Sequence, residues 1–86
     1  MAMTPITAAT TEASATAFTL YGPTKISADC EDNQVAVLYE ERPSGDFEPV
    51  VPAVQVTAAN RSVLFEGYGQ YKVVISEAGI GVGYAA

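Results

Sequence analysis

Apolar and polar positions alternate with a period of two along most of this chain, the pattern of strands that bury one face. Phe18 and Leu20 share a face of the segment Thr16 to Tyr21, and Tyr21-Gly22-Pro23 reads as its break. Ile26, Ala28 and Cys30 share a face of the next segment, Lys25 to Cys30, before Glu31-Asp32-Asn33 turns the chain. Gln34 to Glu41 is the clearest strand. Its middle is apolar on both faces, which predicts a central, buried position.

Arg42-Pro43-Ser44-Gly45 places proline second and glycine fourth, as a type I turn prefers. A hairpin therefore returns through Phe47 to Val51. Pro49 and Pro52 lack the N–H that a ladder needs, so the returning strand belongs at an edge. Val54 and Val56 share a face of the next strand, and Ala59-Asn60-Arg61 turns it into Val63 to Glu66. Gly67 and Gly69 flank Tyr68, where a bulge or tight turn would set the ring outward; Tyr71, Val73 and Ile75 then line one face. Gly79, Gly81 and Gly83 alternate with Ile80, Val82 and Tyr84, leaving a bare backbone face for a neighbouring aromatic or another chain to cover. Seven or eight short strands at this spacing predict an all-β domain over residues 15–86, a small Ig-like β-sandwich or a compact antiparallel barrel. No helix of normal length is predicted.

Residues 1–14 follow no such period. Alanine and threonine supply nine of the first fifteen residues, and Glu12 is the only charge. The stretch reads as a flexible N-terminal arm, either a disordered leader or a segment that orders on a neighbouring subunit.

Composition narrows what such a domain can do. With 86 residues the chain holds one small core and buries only about 60–65% of its unfolded surface, so association is an expected source of stability. Cys30 is the single cysteine and there is no histidine, which leaves neither an internal disulfide nor the common zinc and iron ligand sets. Ten acids against Lys25, Arg42, Arg61 and Lys72 give a net charge of −6. Four scattered cations cannot form the stripe that nucleic acid requires, and an anionic membrane is disfavoured for the same reason. No charged n-region precedes an apolar run, so no signal peptide is expected and the chain is expected to fold in a cytoplasm.

The candidate chemistry is sparse. Cys30 lies among Asp29, Glu31 and Asp32, whose charge disfavours a thiolate, and no histidine is available as its base. The same acids with Asn33 lack the alternating spacing that wraps a chain around calcium. Glu40, Glu41, Asp46 and Glu48 bracket the proline turn and read as solvated charges that discourage edge pairing. The expectation is a non-enzymatic protein with no cofactor.

Five tyrosines and no tryptophan suit surfaces with one apolar and one wet side. Tyr39 and Tyr71 fall mid-strand; Tyr21, Tyr68 and Tyr84 lie near turns or the C-terminal end and are the better contact candidates. The stretch Phe65-Glu66-Gly67-Tyr68-Gly69-Gln70-Tyr71-Lys72-Val73-Val74, followed by Gly81-Val82-Gly83-Tyr84, resembles the ends of small tailed-phage virion proteins of the capsid decoration or cement type. That resemblance implies a structural role on a virion, with a major capsid or other virion protein and further copies of the chain as partners. It implies contacts through Thr4, Pro5 and Ile6 in the arm and through Tyr68 and Tyr84. The alternative from charge alone is a soluble binding or inhibitor module that meets a basic protein through its acidic loops.

Overall fold

The computed structural model describes residues 3–86. Seven strands follow in chain order: β1 Thr4–Ile6, β2 Phe18–Ala28, β3 Val35–Glu41, β4 Phe47–Pro49, β5 Gln55–Thr57, β6 Ser62–Ile75 and β7 Val82–Ala85. Among the described residues the only helical piece is a 3-10 turn at Glu12–Ser14. The strands form one antiparallel sheet in the order β1-β7-β2-β6-β3-β4, with β5 also on β3. The all-β expectation holds at this level. The finer forms do not: the strands make one sheet instead of the two of a sandwich, and no barrel closes, since β1 and β4 remain open ends of the path.

The sheet is built on two long strands where the sequence pattern suggests four short ones. β2 continues through Tyr21-Gly22-Pro23, and β6 continues through Gly67-Tyr68-Gly69. Ten consecutive cross-strand pairs, Phe18 with Tyr71 through Ser27 with Ser62, hold these strands together past both expected breaks. Gly22 (φ 145°) and Gly69 (φ 119°) take backbone angles closed to other residues without disturbing the pairing. Pro23 is tolerated because β7 flanks β2 only from Lys25 to Ala28, so no ladder partner lies on the other side of it.

The hairpin at Arg42 forms as its turn chemistry predicts. Gly45 N donates to Arg42 O at 2.8 Å, Gly45 has φ 92°, and β4 lies at the sheet edge with Pro49 opposite Tyr39. Inward side chains from β1, β2, β3, β5, β6 and β7 meet in one cluster, in which Leu20, Val73 and Cys30 are the most deeply buried. The sheet therefore curls around its core. Cys30, just past β2, donates its thiol to Val56 O on β5 at 3.5 Å, although two strands, β6 and β3, separate β2 from β5 along the hydrogen-bonded path.

The separate arm expected over residues 1–14 is corrected from Met3 onward. Thr4, Pro5 and Ile6 pair with Tyr84, Gly83 and Val82, and Ile6 is buried in the common core. Ile75 N donates to Ala9 O at 2.9 Å, and Lys72 Nζ holds the Glu12 carboxylate at 3.0 Å. The physical reason is the exposed edge of β7, which supplies the backbone partner that an Ala/Thr segment cannot signal by periodicity. The same segment covers Gly83 of β7, where a Cβ would sit 3.2 Å from Thr4 O. At Gly81, just before β7, a Cβ would sit 2.9 Å from the Asp29 carboxylate, so the close neighbours are this chain's own backbone and an acid, not an aromatic.

Candidate functional site

The curl that buries one face of β2 and β6 turns the other face outward. On β2, Leu20, Thr24, Ile26 and Ala28 point into the core, which leaves Thr19, Tyr21, Pro23, Lys25 and Ser27 outside. On β6, the alternation leaves Ser62, Leu64, Glu66, Tyr68 and Gln70 outside. Register then matches them in five rows: Thr19 with Gln70, Tyr21 with Tyr68, Pro23 with Glu66, Lys25 with Leu64, and Ser27 with Ser62. The end rows are closed by side-chain hydrogen bonds, Gln70 Nε2 donating to Thr19 Oγ1 and the two serine hydroxyls 2.6 Å apart.

The middle rows carry the apolar weight. Tyr21 and Leu64 are each 86% exposed and Tyr68 is 68% exposed. One such side chain on a surface is ordinary, but three of them within three consecutive rows, with Pro23 in the row between, form a patch of the kind that marks a contact surface. A groove of about 510 Å³ runs beside it, between Pro23, Leu64 and Glu66 on one side and Ala85 and Ala86 on the other. Tyr68 Oη donates to the Glu66 carboxylate at 3.0 Å. That hydrogen bond and the carboxylate charge raise the phenol's pKa above the ordinary tyrosine value.

The residues expected to make contacts are thus divided. Tyr68 lies at the centre of the patch, opposite Tyr21. Thr4 and Pro5 are exposed on β1, at the far edge of the sheet. Ile6 belongs to the core. Tyr84 is half-buried, stacked on Phe18 with ring centroids 5.3 Å apart and planes at 24°. Leu64 is the member that sequence reading passed over. The run Val63-Leu64-Phe65, apolar on successive positions, was its available signal: a strand buried on one side cannot hide all three.

Acid chemistry gathers elsewhere. Glu40 lies directly opposite Glu48 on β3 and β4, with Arg42 Nη1 3.4 Å from the Glu40 carboxylate. Cys30 is buried, and burial first, the Asp29 charge second, push its thiol above the ordinary value. Among the described residues no three His, Cys, Asp or Glu side chains are grouped to hold a metal ion. No family model matches this chain, and neither a curated protein nor a solved structure matches it.

Proposed function

We propose that this chain is a non-enzymatic structural protein of a phage virion, a small all-β domain that decorates or stabilises the capsid surface through oligomerisation. The observation that supports this reading best is the exposed Tyr21–Tyr68–Leu64 patch on the two central strands. A small domain gains stability from a partner that binds only its folded form, and an apolar patch on rigid strands is suited to such binding. In this reading Thr4 and Pro5, on the open edge of β1, meet the major capsid or another virion protein. The test is sedimentation of a native lysate through a density gradient, with the chain followed by mass spectrometry. Co-migration with a megadalton particle, at a fixed ratio to one major protein, is expected; recovery only as a small species would sink the reading.

A second reading has one specific observation in its favour. Like charges placed directly opposite on paired strands cost stability, and Glu40 with Glu48 is such a pair. With Glu41 and Asp46 they make the hairpin end an acidic surface suited to a basic protein. Affinity for such a partner would fall steeply with added salt, whereas capsid decoration through apolar contacts would not.

A further inference from the structure

We infer that the outward face of β2 and β6 is occupied by a second copy of this chain, in a face-to-face contact with two-fold symmetry. The inference deepens the oligomer named in the proposed function and rests on charge as well as exposure. The five outward rows contain one cation, Lys25, and one anion, Glu66, which cancel. The whole net charge of −6 therefore belongs to the rest of the molecule. Two copies approaching through the hairpin end, where Glu40, Glu41, Asp46 and Glu48 gather, bring acids against acids within a screening length of about 8 Å. This face is a neutral, apolar window through which like-charged copies can meet.

Its chemistry also selects against other occupants. A basic protein would be drawn to the acidic hairpin, where Glu40, Glu41, Asp46 and Glu48 gather, and would gain nothing from tyrosines and leucine. Among the described residues Arg42 and Lys72 are paired with Glu40 and Glu12, while Lys25 and Arg61 have no ion-pair partner within the chain; of these two, Lys25 stands on this face, opposite the exposed Leu64. Lys25 and Glu66 lie in adjacent rows on opposite strands. A two-fold contact returns the face onto itself, so that Lys25 of each copy approaches Glu66 of the other while Tyr21, Tyr68 and Leu64 cover one another. Such a surface is self-complementary in shape class and in sign.

The test uses the purified full chain in analytical ultracentrifugation across concentration. The expected result is a reversible rise from the 9.0 kDa monomer toward twice that mass. Tyr68→Ser and Leu64→Thr should each weaken it about tenfold or more, since central aromatic and apolar anchors dominate such contacts. Lys25→Glu and Glu66→Lys each give the face a single sign, so each alone should stay monomeric. Mixed in equal amounts they should form a heterodimer, which no contact elsewhere on the surface predicts. Because all four side chains are on the outside, circular dichroism should remain that of the parent chain, and melting should match it at concentrations where the parent is monomeric.

A monomer at every concentration would overturn the inference, as would a dimer indifferent to all four substitutions. If the isolated chain stays monomeric yet co-sediments with a particle through Tyr68 and Leu64, the second copy is excluded while the virion reading stands. A dimer that never joins a particle has the reverse meaning.

Discussion

The phenol of Tyr71 lies across Gly67: a Cβ built at Gly67 would sit 2.7 Å from Tyr71 Oη, and the Phe65 ring edge closes the same space. Phe65 and Tyr71 meet edge to face at 5.4 Å over this glycine, and Tyr71 is buried. In an open strand, Gly→Ala gains about 0.5–1 kcal/mol from backbone entropy. Here the buried Tyr71 ring occupies the space a methyl would take, so overpacking at about 1–3 kcal/mol decides the sign. Gly67→Ala should lower the denaturation midpoint; an unchanged or raised midpoint would show that the rings move freely.

Lys72 ties the N-terminal segment to β6. Its ammonium donates to the Glu12 carboxylate at 3.0 Å and to Glu12 O at 3.1 Å, and lies 4.4 Å from the Phe47 ring centroid. Lys72→Met keeps the stem and loses these contacts, at a cost of about 1–3 kcal/mol. Hydrogen exchange should quicken at the Ile75 and Thr16 amides, which donate to Ala9 O and Thr7 O. Ile6→Ala provides the companion measurement, at about 2–4 kcal/mol for a core deletion. A loss below about 0.5 kcal/mol would return the segment to the status of a loose arm.

Cys30 should resist a thiol reagent in the native chain and react only on opening. Burial and Asp29 raise its pKa, so the folded state holds the thiol proton more tightly than the unfolded state. The sign follows from linkage. This contribution is fully present below the unfolded thiol value of about 8.5 and is lost as pH rises through the folded value. Cys30→Ala should remove that alkaline slope from the stability profile, and fast native-state labelling would contradict the burial.

The opposed pair Glu40 and Glu48 sets up a stabilising substitution. Glu48→Lys turns cross-strand repulsion into attraction and should raise stability by about 0.2–1 kcal/mol, less in high salt. If the melting temperature falls instead, Glu48 is held by a contact that the register does not reveal.

How far the sequence could be read differs from element to element. The β3–β4 hairpin was legible because Pro43 and Gly45 act within four residues, and Pro49 forces its strand to the edge whatever else happens. The outward tyrosines were legible as residues but not as a surface. Tyr21 and Tyr68 are 47 positions apart, and only the register of β2 on β6 makes them neighbours. Leu64 required knowing which side of β6 the core would take.

What the sequence determined by itself is the all-β class, the turn at Arg42, the acidic balance and the scarcity of reactive groups. These depend on local backbone preference, on period-two alternation and on counting. What only the tertiary structure decided is that β2 and β6 run unbroken past their glycines and Pro23, that Ile6 enters the core, and that the sheet stays open while curling. Each of these depends on a partner distant in sequence. Cross-strand hydrogen bonds and the burial of Ile6 under β7 outweigh local breaking and disordering tendencies, and no window along the chain contains both sides of those interactions.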